Sequence, residues 1–153
     1  MKKNGFTMIE LVFVIVGLGI LAAVAIPQMA ATRTDAEITK ARADIASIRS
    51  AIVTERQSRL IKGDSSFINQ LHSSSTTYFD SNGTAATDRQ LLMYAITPEN
   101  KDGHWKTGAS CTSGVCTYIF MLEGVDNNFT YTSATGKFSC VTATAPSCDS
   151  LTK

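Results

Sequence analysis

Apolar positions divide this chain into segments of different character. Leu11 to Ile26 is a run of 16 residues without a polar side chain. The wider stretch Phe6–Ile26, 21 residues, holds one charge, Glu10, and one hydroxyl, Thr7. As a helix it would rise roughly 31 Å at about 1.5 Å per residue, enough to cross a hydrocarbon core. After Pro27 the spacing changes. Ile38, Ala41, Ile45, Ile48 and Ile52 recur at alternating steps of three and four, which predicts an amphipathic helix with one core-facing stripe. Arg42, Asp44, Arg49, Glu55 and Arg56 lie mostly off that stripe, and Gly63 after Lys62 is a stop signal. Fewer than three clean heptads are too few to favour a coiled coil. Pro27 removes one helical hydrogen bond, so a bend or local melting is expected near Gly17–Pro27.

Beyond Gly63 the pattern shortens. Residues 64–90 form a polar connection containing Ser73-Ser74-Ser75-Thr76-Thr77 and the turn signal Asn82-Gly83. Leu91–Ile96 is a short apolar run ended by Pro98, readable as a helical turn or a strand. Thr117–Glu123, Asn128–Ser133 and Lys137–Thr142 read as strands, with turns at Gly124–Asn127 and Ala134–Gly136. Trp105, between His104 and Lys106, is assigned to a loop that it anchors. The expected fold is α+β: a three- or four-stranded antiparallel meander packed on the Ile38–Ile52 stripe.

Composition narrows the class. The chain has 153 residues, room for one compact domain beside the apolar segment, with 44% hydrophobic and 18% charged residues. A net charge of +1 provides no global field that would draw it to nucleic acid or to an anionic membrane.

Three ordinary readings of the apolar segment compete. A secretory signal peptide has a basic start, here Lys2-Lys3, and a small-x-small pattern, here Ala23 and Ala25 before Ile26. Its apolar region is usually shorter, however, and a charge near its start is unhelpful. Gly17–Ala22 matches the dinucleotide fingerprint G-x-G-x-x-A, but Glu37 falls inside a helical pattern and no further βαβ unit follows. A single-pass anchor explains everything except Glu10. The two lysines then place the N-terminus in the cytoplasm and the remainder outside. A carboxylate inside an apolar helix costs about 2.5–3.5 kcal/mol on insertion scales and usually has a partner. A helix N-terminus favours an acid in its first turn. Cutting the chain after Gly5 would make Phe6 a free α-amine, one turn from Glu10.

The run Lys2-Lys3-Asn4-Gly5, then Phe6-Thr7-Met8-Ile9-Glu10-Leu11, resembles the processing site of type IV prepilins and type II secretion pseudopilins. The resemblance covers about residues 1–30. It implies a membrane peptidase that cleaves between Gly5 and Phe6 and N-methylates Phe6. It also implies that Glu10 pairs with the Phe6 amine of an adjacent subunit during assembly. Pro27 sits where these proteins commonly have a proline. The family arrangement is one continuous helix, its first half exposed for polymerisation and its second half buried under a sheet. The implied domains are a leader, 1–5; a transmembrane and polymerisation helix, 6–27; its amphipathic half, 28–63; and a head, 64–153.

Four cysteines, Cys111, Cys116, Cys140 and Cys148, lie in the half that would be exported, where disulfides are the leading reading. Of three connectivities, Cys111–Cys116 and Cys140–Cys148 are favoured because each closes a short loop. The second would tie down the C-terminal tail, much as many pilins staple a C-terminal loop. For zinc, the C-x4-C and C-x7-C spacings match poorly and neither His72 nor His104 stands beside them. No Ser/Cys–His–acid constellation can be assembled from the spacings. Secretion pseudopilins often hold calcium in this half, but Asp126, Asn127 and Asn128 are too few to make a site. Asn82 and Asn128 each begin an Asn-x-Thr sequence on a predicted turn, with chance the favoured explanation over glycosylation.

The reading is a structural subunit with no catalytic residues, cofactor or metal. It would be inserted in the bacterial inner membrane with its head in the periplasm and assembled into a pilus or secretion pseudopilus. Its partners would be further copies of itself, the prepilin peptidase, and an inner-membrane platform driven by a cytoplasmic ATPase. The two disulfides lean towards pilins. A competence filament, in which nucleic acid would be a partner, and a monomeric membrane-tethered binding module are the alternatives.

Overall fold

Helix α1 runs Met8–Ile61 in a computed structural model of the chain, which describes residues 5–74, 76–80, 91–141 and 147–152. The chain divides into two units, residues 1–35 and 36–153. The first is the N-terminal part of α1, with Pro27 inside the helix.

In the second unit α1 buries one face. Ala41, Ile45, Ile48 and Ile52 are fully covered, with Ile38 packed at the margin, so the stripe of threes and fours is the core-facing stripe. The helix ends in a Schellman arrangement. Gly63, at φ +86°, takes the left-handed position, its N–H donates to Leu60 O, and Asp64 N–H reaches back to Arg59 O. Arg59 lies against Glu55, four residues earlier, and against Asp64 beyond the turn.

Over this stripe lies a four-stranded antiparallel meander in the order β1-β2-β3-β4. The strands are β1 His104–Thr112, β2 Val115–Leu122, β3 Val125–Thr132 and β4 Lys137–Cys140. Ser113-Gly114 and Glu123-Gly124 form the first two turns, with positive φ at all four residues, as two-residue I′ hairpins require. Burial alternates along β2 and β3. Tyr118, Phe120, Leu122, Phe129 and Tyr131 face the helix, and Phe138 of β4 joins them.

Three sequence expectations need correction. Trp105 is in a strand, not a loop: β1 went unread because Gly108-Ala109-Ser110 has little β-propensity and Trp105 alone in β1 is fully buried. It is an edge strand with an irregularity between Lys106 and Ser110, and neighbouring groups occupy its outer side. Glu99 N–H donates to Trp105 O, Thr107 N–H to Asn100 Oδ1, and Ala109 N–H to the Tyr78 hydroxyl. The turn expected over Gly124–Asn127 is confined to Glu123-Gly124, and β3 begins at Val125. Within Leu91–Ile96 neither a helical turn nor a strand forms; Ile96 makes an isolated bridge with Tyr78. The Asn82-Gly83 turn lies outside the described residues.

A small helix, α2 Cys148–Thr152, closes the fold. Leu151 enters the core, and Arg42 and Arg49 of α1 donate to Ser150 O and Phe138 O.

Candidate functional site

Gly5 and Phe6 precede the first helical turn, and Phe6 is 84% exposed. From there to Ile26, 68% exposed, the large apolar side chains of α1 have nothing covering them. The helix is long and apolar enough to cross a membrane, and none of its most apolar window is buried. One such helix suits a single-pass membrane protein.

Glu10 is the acidic residue of the first turn. The helix starts on Thr7, whose carbonyl accepts from Leu11 N–H at 3.2 Å. Glu10 N–H donates to Thr7 Oγ1 at 3.3 Å, and Thr7 N–H donates to Glu10 Oε2 at 3.4 Å. This is a reciprocal capping box, T-x-x-E, and it satisfies two backbone donors that would otherwise be orphaned. The Thr7 hydroxyl also donates to Glu10 Oε2 at 3.4 Å. The sequence shows this signature directly, as Thr7 and Glu10 at T-x-x-E spacing, although its reading of Glu10 rests on the helix N-terminus and the Phe6 amine and leaves Thr7 out.

In the second unit the structure joins Cys111 to Cys116 and Cys140 to Cys148, and leaves no free cysteine. Cys111 and Cys116 face each other across the β1–β2 hairpin. The Cys140–Cys148 bond ties α2 to the end of β4. Sulfurs held in disulfides are not thiolate ligands, which removes the zinc alternative. Among the described residues no group of three or more His, Cys, Asp or Glu is placed to hold a metal. Asp126 pairs instead with Lys106 at 2.7 Å, and Asn127 is buried on the core face of β3. Asn128 lies in β3 opposite Ile119 rather than on a turn, while Asn82 lies outside the described residues.

The histidines are separated. His104 reaches Asp102 O through Nδ1 at 3.0 Å and lies 3.8 Å from Glu99. His72 is half-buried, with Nδ1 2.8 Å from the Tyr118 hydroxyl. That hydroxyl also accepts Leu71 N–H at 3.1 Å. Burial raises the Tyr118 pKa well above the ordinary phenol value, and lifts Tyr131, whose hydroxyl donates to Ile68 O, to about 12. Burial also lowers the His72 pKa, against the opposing pull of Asp80. Asp80 is itself pushed up by burial, but hydrogen bonds from Ser73 and Thr77 outweigh this and leave its pKa low.

The linkage has a definite sign. The folded chain resists a proton that the unfolded chain accepts near pH 6.5, so His72 costs stability as pH falls below that value. Thermal unfolding midpoints should therefore drop from pH 7.5 to pH 5.5. The drop should shrink in His72→Gln; an identical slope in that variant would assign it to other groups.

A stretch of 51 residues is 43% identical to the type II secretion system core protein G of Pseudomonas aeruginosa. Over that stretch the chain is its homologue. The match takes in 33% of this chain and 36% of the relative, so the chain spans about a third of the length of the curated relative it matches. No family model matches the chain, and no solved structure matches it at a significant level. The prepilin-family resemblance is supported by this partial homology and by the N-terminal apolar helix. The α+β arrangement, one long helix and a four-strand antiparallel sheet, is pilin-like.

Proposed function

We propose that the chain is a structural subunit of a pilus-type filament, with a type II secretion pseudopilus the favoured setting. The observation that carries this is the uncovered apolar stretch Phe6–Ile26 with a single carboxylate in it. Such a surface needs lipid first and neighbouring helices later; a soluble monomer would not expose it. The partial homology to a type II secretion core protein supports the secretion setting over a pilus. The stapled C-terminal segment is the feature that favours a type IV pilus as the second reading.

In this reading Lys2 and Lys3 hold the N-terminus in the cytoplasm and the head is periplasmic. A prepilin peptidase cuts between Gly5 and Phe6 and methylates the new amine. An inner-membrane platform driven by a cytoplasmic ATPase lifts subunits from the bilayer, and Glu10 meets the Phe6 amine of a neighbour. Pro27 provides a point where the helix bends as the bundle forms. The protein is not an enzyme.

Intact mass of the membrane-extracted protein, from cells that contain the peptidase, tests the processing step. The expected species starts at Phe6 and carries one added methyl group. A chain beginning at Met1, or one cut near Ile26, would overturn the reading.

A further inference from the structure

The Thr7–Glu10 box changes the account of how an acid enters the membrane at all. Insertion comes before processing in the filament reading, on which this inference rests, so the Phe6 amine does not yet exist when Glu10 crosses the interface. The carboxylate nevertheless has donors. Thr7 N–H and Thr7 Oγ1–H both point at Glu10 Oε2, and Glu10 N–H closes the ring on the same hydroxyl. All three bonds are made within one helical turn and require no second subunit, no cleavage and no water.

We propose that Thr7 is the positioning residue that carries Glu10 in the uncut chain, and that the Phe6 amine takes over only after cleavage. A capped start at Thr7 also leaves Gly5 and Phe6 ahead of the first helical turn, where the new amine would form beside an already ordered carboxylate. The neutral hydroxyl is the weaker partner. A charged ammonium makes stronger hydrogen bonds to a carboxylate, so the exchange runs in one direction once the amine exists.

The role separates from general hydrophobicity because the two make opposite forecasts. Thr7→Val is nearly isosteric and more apolar, so hydropathy alone would settle this turn more firmly in the bilayer. Loss of the cap should loosen it instead. The test is amide hydrogen exchange in the full-length uncut chain, produced without a prepilin peptidase and held in lipid nanodiscs. Thr7→Val should speed exchange at the residue-7 and residue-10 amides about five- to thirtyfold. Thr7→Ser, which keeps the hydroxyl, should stay close to wild type, and Glu10→Ala should free the residue-7 amide by a similar factor. Unchanged exchange at both amides in Thr7→Val would overturn the proposal, as would loss of protection in Thr7→Ser equal to that in Thr7→Val. Because no cleavage occurs in this preparation, the result is independent of whether the peptidase cuts after Gly5; the intact mass reports that separately.

Discussion

Glu10→Ala is expected to leave the chain inserted and folded while lowering filament yield about tenfold or more. Removing a charge from the apolar segment makes insertion easier, by less than the about 2.5–3.5 kcal/mol that insertion scales assign to a helix centre, because Glu10 lies in the first turn. Against this stands the lost capping box, about 1 kcal/mol at the first turn. Neither reaches the head, whose core is built from residues 36 onward, so its unfolding midpoint should not move. The loss falls on assembly. Each incoming subunit would bring a Phe6 ammonium into an apolar bundle with no carboxylate to meet it, and truncating one partner of a buried charge pair costs about 2–5 kcal/mol. Sheared filament and membrane fractions, quantified from the same cells, check the outcome. Filaments at wild-type yield would remove Glu10 from assembly, and loss of the membrane pool would point to insertion instead.

What could be read from the residues followed from how strictly each pattern repeats. The Ile38–Ile52 stripe has one clean period; Ala41, Ile45, Ile48 and Ile52 are buried in the fold and Ile38 packs at its margin. Gly63 marks the helix end because few other residues take its left-handed φ without strain. The core face of β3 was readable because Phe129 and Tyr131 alternate with Asn128, Thr130 and Thr132, whereas β2 was readable as an apolar, aromatic run in which Ile119 and Met121 flank Phe120. Where alternation breaks, the reading failed. Asn127 occupies a core-facing position of β3, fully buried, so Asp126-Asn127-Asn128 looks like a turn in sequence. Its Nδ2 donates to Val125 O, while its buried Oδ1 accepts no hydrogen bond. Polar β1 was invisible for a related reason: much of its support is tertiary, from Asn100, Tyr78 and the register with β2, and none of that is local. The segment at Gly5–Glu10 differs again. Its motif was legible, but that both the Thr7 N–H and the Thr7 hydroxyl reach Glu10 Oε2 depends on donor geometry that spacing does not record.

The largest loss of head stability is expected at a residue the sequence placed in a loop. Trp105 is 1% exposed and meets Phe79, Phe120, Phe129 and Phe138, with ring centroids 5.1–6.1 Å apart, mostly edge to face. Its indole N–H also donates to Asp44 Oδ2 at 3.2 Å, bridging β1 to α1. Burial raises the Asp44 pKa, and the Trp105 hydrogen bond is the largest of the effects that oppose this, ahead of Lys40 and His104. Trp105→Ala thus removes a large core side chain and strips a half-buried carboxylate of its best donor. About 3–5 kcal/mol is expected from the cavity and lost burial alone. Trp105→Phe separates the two contributions: it keeps most of the ring contacts, loses the donor, and should cost about 1–3 kcal/mol. Equilibrium denaturation of the full chain in detergent, with both disulfides intact, measures each. The Phe variant should also lose stability relative to wild type as pH rises through the Asp44 titration, because the indole donor favours the charged carboxylate. A Trp105→Phe penalty independent of pH would show that the ring packs against α1 without holding Asp44.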